Sequence, residues 1–90
     1  GIVLVNVNPA YRAAELRYVL KQSRARGVFH DREYRGLDMA GAVQEALTGE
    51  NLAHDTVVAL DELARFTREH DRGAALPDVD PRQPCMIQYT

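Results

Sequence analysis

Cys85-Met86-Ile87-Gln88-Tyr89-Thr90 is the stretch whose reading decides the fold. It is an apolar, strand-like run that follows a proline-punctuated segment and stops on a Tyr-Thr pair, where a strand hands over to a turn. The expectation is a buried strand aimed at a loop. The opposite end reads in the same way: Gly1 is not an initiator Met, and Ile2-Val3-Leu4-Val5 begins in mid-strand. The chain therefore reads as a piece of a larger domain.

Working back from that strand, residues 73–84 carry Pro77, Pro81 and Pro84 with Asp78 and Asp80, an extended linker. Ile2 to Val7 is a nearly continuous β-branched run of the kind that a parallel sheet buries on both faces. Asn8-Pro9 stops it. Ala13, Leu16, Val19 and Leu20 then recur at helical spacing, with Arg12, Glu15, Arg17 and Lys21 on the other side. Ala25 to Phe29 returns to a strand, so residues 1–30 form a β-α-β unit with an expected right-handed crossover.

Residues 31–72 read as a turn over Asp31 to Gly36, then helix, strand, helix. Met39, Val43, Ala46 and Leu47 mark the first of these helices, with Asp38 as its N-cap and Gly49 beyond its end. Thr56 to Leu60 is the strand, and Leu63, Ala64 and Phe66 lie on the last helix, which ends by Gly73. Alternating strands and helices predict an α/β fold with a mainly parallel sheet and flanking helices, as an incomplete part of one domain spanning 1–90.

Composition narrows function by exclusion. The chain is 46% hydrophobic and 27% charged with net charge −2, which gives no electrostatic case for nucleic acid or an anionic membrane. All basic residues except Lys21 are Arg, scattered over the chain. No apolar run approaches the roughly 20 residues that span a bilayer. Cys85 is the single cysteine, which excludes an internal disulfide and points to a reducing, cytoplasmic setting.

Three sets of residues invite a chemical reading, and each has a simpler structural one. His30-Asp31, His54-Asp55 and His70-Asp71 look like dyads, but adjacent side chains diverge on strands and helices, so they read as solvated pairs. Asp78 and Asp80 could hold a cation, yet they sit on an extended, wet linker. Cys85 on an apolar strand reads as a small core residue, and Tyr18 as packing at the edge of its helical stripe. No catalytic or metal-binding residue is expected.

Two segments carry a family resemblance. Asn8-Pro9-Ala10-Tyr11-Arg12-Ala13-Ala14-Glu15-Leu16 resembles the N-P-x-Y-x-x-x-E-L segment of acyl-CoA synthetases in the adenylate-forming superfamily. Pro84 to Thr90 is similar to the strand that leads into that superfamily's phosphate loop, T-S-G-T-T-G-x-P-K-G, with Thr90 matching its first position. Tyr34-Arg35-Gly36 also fits.

The resemblance implies a parent enzyme that uses ATP and Mg to turn a fatty acid into an acyl-adenylate, then transfers the acyl group to coenzyme A. It implies that Thr90 is the one nucleotide-contacting residue within the chain, which alone is expected to be inactive. Its expected partners are the rest of the parent domain and, through open sheet edges, other copies of itself. An aryl-acid or amino-acid adenylating enzyme of the same superfamily, and a non-enzymatic flavodoxin- or receiver-like module, are the alternatives. Two departures from the family pattern bear on stability. Arg12 replaces a capping Thr or Ser, leaving Glu15 half of a capping box, and Arg24 stands where a left-handed Gly is frequent.

Overall fold

The structure is a computed structural model that describes residues 2–48 and 56–89. Three two-stranded ladders and three α-helices make up the described fold. β1 (Leu4–Asn6) pairs in parallel with the last strand, β6 (Met86–Gln88), in the register Leu4↔Met86, Val5↔Ile87 and Asn6↔Gln88. β2 (Gly27–His30) pairs in parallel with β5 (Thr56–Ala59). β3 (Glu33–Tyr34) and β4 (Leu37–Asp38) form an antiparallel hairpin.

The fold is thus α/β with a partial, mainly parallel sheet, as the alternation of sequence patterns predicts. β1 and β2 flank the helix of the expected β-α-β unit, but each hydrogen-bonds to a different partner and they lie in separate ladders. The predicted turn at 31–36 proves to be the hairpin. Arg35 and Gly36 have φ of 48° and 80°, the paired positive values of a type I′ turn, whose twist matches that of the strands it joins.

α1 (Ala13–Ser23) and α2 (Met39–Leu47) supply the core. Leu16 and Leu20 of α1 pack with Val43 and Ala46 of α2, and Val7, Ala25, Val28 and Leu47 close around them. Val19 is buried almost completely. Each helix end has a local cause. The Glu15 carboxylate accepts the Arg12 N–H at 3.0 Å, whereas the Arg12 guanidinium, which carries only donors, makes no cap bond in return. Arg24 closes α1 with φ 57° and ψ 34°, in the left-handed region that disfavours a Cβ. Asp38 caps α2 through its carboxylate and the Gly41 N–H at 2.9 Å.

Arg17, placed by periodicity on the polar side of α1, reaches across to α2. Its guanidinium donates to the carbonyls of Glu45 at 2.7 Å and Ala46 at 3.1 Å. These carbonyls belong to the last turn of α2, where intrahelical partners run out and the helix dipole favours a cation. α3 (Leu63–His70), entered through a 3-10 turn at Leu60–Glu62, docks by an aromatic stack. The Phe29 ring meets that of Phe66 edge-on at 5.8 Å, and Phe66 stacks on His70 at 4.2 Å.

Three expectations of burial fail. β6 is exposed along its whole length, and Cys85 before it is exposed and no small core residue. Leu4, at 53% exposure, and Val3 show that the first strand is not covered on both faces. The reason is that, among the described residues, β6 has β1 as its one sheet neighbour. The accessible surface is 7111 Å², against about 5,300 Å² expected for a compact monomer of this mass.

Candidate functional site

The two segments that carry the family resemblance come together at one edge, where Asn8-Pro9 follows β1 and Tyr89 follows β6. Parallel pairing puts the carboxyl ends of β1 and β6 side by side, with Asn6 opposite Gln88. In open α/β sheets this is the edge where ligands bind, because the loops that leave it are free to vary while the strands hold them in place. Thr90, the predicted phosphate-loop residue, lies outside the described residues, as do His54, Asp55 and Gly49. Tyr89, the last described residue, is half-buried at this edge, and the Tyr18 ring of α1 meets its ring edge-on at 6.4 Å. Tyr18, expected to pack at the edge of its own helical stripe, is instead 59% exposed and meets the ring that follows β6, a contact that spacing within one helix could not reveal.

The turn after β1 is closed upon itself. Asn8 accepts the Ala10 N–H on its side-chain oxygen at 2.9 Å and the Tyr11 N–H on its carbonyl at 3.0 Å. Pro9 has no N–H. A phosphate cradle needs several unspent backbone donors converging on one point, and this turn has spent its own. Asn6 turns its amide to the Met86 sulfur at 3.8 Å, which fastens the two strands rather than a ligand. The edge thus offers neutral amide and phenol groups that fix the direction in which β6 exits.

ATP with Mg does not fit the described residues by themselves. Among them no group of three or more His, Cys, Asp or Glu side chains could hold a metal ion. Asp80, one of the two linker carboxylates, is taken by Arg82, which donates to it from its backbone N–H at 2.9 Å and from its guanidinium at 3.0 and 3.1 Å. These contacts hold the Asp80 carboxyl below the usual carboxylate range, the Arg82 side-chain hydrogen bond contributing most. His30 is half-buried rather than fully solvated, with its Nδ1 at 2.8 Å from the Asp31 carbonyl oxygen, and His70 has its Nδ1 at 2.8 Å from that of Phe66. Neither ring contacts the carboxylate next to it in sequence.

A second charged cluster sits at the corresponding edge of the other ladder. Arg32, just after β2, donates to Asp61 at 2.8 Å and to Glu62 at 3.3 Å, both just after β5. The hydrogen bond from Arg32, followed by its charge, lowers the Asp61 pKa, and the same bond raises that of Arg32. The Arg32 carbonyl also accepts the N–H groups of Met39 and Ala40 at 3.0 and 3.1 Å, so this residue clasps β2, β5 and the start of α2 together. It was not singled out by sequence, where one Arg among many carries no distinguishing signal.

Comparison with known proteins gives this geometry a context. Medium-chain acyl-CoA ligase ACSF2, mitochondrial, of Rattus norvegicus is 46% identical over 35 residues, covering 39% of this chain and 6% of the rat protein. The Mus musculus protein of the same name is 43% identical over 35 residues, with the same coverage. The match thus spans a small fraction of the length of either relative. No solved structure matches the chain. The sequence profile of the family described as AMP-binding enzyme matches residues 1–90, the full length, and on that ground the chain belongs to the AMP-binding enzyme family.

Proposed function

We propose that residues 1–90 are a scaffold portion of the large domain of an acyl-CoA ligase that activates a fatty acid. In the proposed reaction a carboxylate oxygen attacks the α-phosphorus of ATP, pyrophosphate leaves, and the thiol of coenzyme A then takes the acyl group as AMP departs. Bound ATP and Mg supply the phosphoryl chemistry. The part played by the described residues is positional: β6 is held parallel to β1, so the chain beyond Gln88 leaves at the sheet edge beside the Asn8–Tyr11 turn.

That parallel pairing is the observation that carries the reading. A strand fixed on one side by β1 and at its tip by Tyr18 aims the following loop in a constant direction, as electrostatic catalysis by preorganised donors requires. In this reading Thr90 is the first residue of that loop. The matched stretch of the two medium-chain acyl-CoA ligases supports a fatty acid as the substrate class.

The test uses the full-length gene product. Pyrophosphate exchange into ATP is expected with saturated fatty acids, with acyl-CoA appearing when coenzyme A is added. Exchange driven by benzoate or by amino acids alone would replace this reading with the aryl-acid or amino-acid alternative. No exchange with any acid, from protein shown to be folded, would overturn both. The residues encoded after Thr90 are expected to read Ser-Gly-Thr-Thr-Gly or a close variant.

A further inference from the structure

From Thr67 to Gln88 every residue is exposed, and Tyr89 is the first to be half-buried. A tyrosine that gains cover at the end of a strand exposed along its whole length gains it locally. The ring it meets is that of Tyr18 on α1, edge-on, with centroids 6.4 Å apart and the two planes at 81°. This is a favoured geometry for an aromatic pair, in which the positive edge of one ring points at the negative face of the other.

Tyr18 is free of the core and so able to make this contact. The buried stripe of α1 is Leu16, Val19 and Leu20, and successive residues of a helix turn by about 100°, so Arg17 and Tyr18 leave the stripe on opposite flanks. Arg17 reaches the last turn of α2, and Tyr18 reaches the residue that follows β6. The two ends of β6 are therefore held by different means. At its start the Leu4 N–H donates to the Cys85 carbonyl at 3.0 Å, and the Asn6 amide meets the Met86 sulfur. At its other end the ladder stops with the pair Asn6↔Gln88, and one residue further Tyr89 has the ring of Tyr18 against it.

We infer that Tyr18 is a positioning residue for the phosphate loop: its ring fixes Tyr89, and Tyr89 fixes the direction in which the loop leaves β6. This inference rests on the ligase reading, in which Thr90 opens that loop. Tyr89 is the one residue between the last ladder pair and Thr90, so any freedom in its backbone is passed on to each N–H that follows. Donors aimed at phosphates act best when they are in place before the phosphates arrive. The restraint is therefore felt by ATP rather than by the fatty acid. Because the contact joins a ring edge to a ring face, Tyr18→Phe preserves it and Tyr18→Leu does not.

The full-length protein tests this through pyrophosphate exchange at varied ATP-Mg and fatty acid, and through hydrogen exchange at the amides of Tyr89 and Thr90. Tyr18→Leu is expected to raise KM for ATP about 2- to 10-fold, the range to which one aromatic pair corresponds, with KM for the fatty acid and the melting temperature unchanged. It is also expected to speed hydrogen exchange at Tyr89 and Thr90 by about the same factor, and Tyr18→Phe to restore both. An unchanged KM for ATP would overturn the inference. So would an equal rise in both KM values with a lower melting temperature, the mark of a purely structural role, or a Tyr18→Phe variant as impaired as Tyr18→Leu, which would move the effect to the hydroxyl. The two readings fail separately. An active ligase that Tyr18→Leu leaves unaltered removes the positioning role alone. A wild-type protein that activates no acid, while Tyr18→Leu still speeds hydrogen exchange at Tyr89, removes the ligase reading and keeps the hold of Tyr18 on the end of β6.

Discussion

The α1–α2 pair and the β1–β6 pair sit in one small chain and differ in nearly every respect that confers stability. Between the helices Leu20 and Val43 are buried, Ala46 is fully enclosed, and Arg17 ties the last turn of α2 to α1. On the sheet side Leu4 and Met86, equally apolar, stand about half exposed. The difference teaches that apolar residues do not by themselves make a core. A side chain contributes when neighbours on several sides remove it from water, and among the described residues β6 has a neighbour on one edge only.

The comparison breaks most sharply at Leu20. Leu20→Ala is expected to cost about 2–3 kcal/mol, read as a lower urea midpoint, since it opens a cavity in the one well-packed layer. Arg17→Ala comes next, at about 1–2 kcal/mol, because two carbonyls of the last turn of α2 lose charge-assisted donors; Arg17→Lys recovers only part of the loss, having no fork. The ends of α1 move the other way. Arg24→Gly is expected to stabilise by about 1 kcal/mol by relieving the left-handed backbone, and Arg12→Thr by about 0.5–1 kcal/mol by completing the capping box, both as a raised melting temperature.

Leu4→Thr sharpens the contrast from the sheet side. In the 90-residue chain it is expected to change stability by less than about 0.5 kcal/mol, since little burial is lost. A large loss there would show that the sheet face is covered after all. The smallest effect is at Asp61, whose lowered pKa makes its ion pair with Arg32 favour the folded state above the ordinary carboxylate range and lose that effect as pH falls through the depressed value. Asp61→Asn is therefore expected to lower the thermal midpoint slightly near neutral pH and not in strong acid, with the difference shrinking in high salt. An equal difference at both pH values would remove the ion pair as its cause.

Some of this was legible early and some was not. The apolar spacing of Ala13 to Leu20 predicts α1 with its buried stripe, and Asp38 predicts its own capping bond, because both depend on residues a turn apart. The hairpin at Glu33–Asp38 shows in the sequence only as a turn over Asp31 to Gly36, since strands of two residues leave no periodicity to detect. Arg17 and Arg32 act through carbonyls and carboxylates about 30 positions away, and no local pattern distinguishes them from the scattered arginines around them. The site was legible as a direction, the strand ending at Gln88, while the residue expected to touch phosphate, Thr90, lies outside the described residues.

The sequence by itself determined the alternation of strands and helices, the caps and strained end of α1, and the resemblance that the whole-chain family match bears out, all of them properties of neighbours along the chain. Only the tertiary structure decided that Cys85 to Gln88 pairs with β1 but stays exposed, and that β1 and β2 lie in separate ladders across an apolar groove. Burial and pairing depend on what stands beside a strand in space, and apolar composition records that a strand is fit to be covered without recording whether anything covers it.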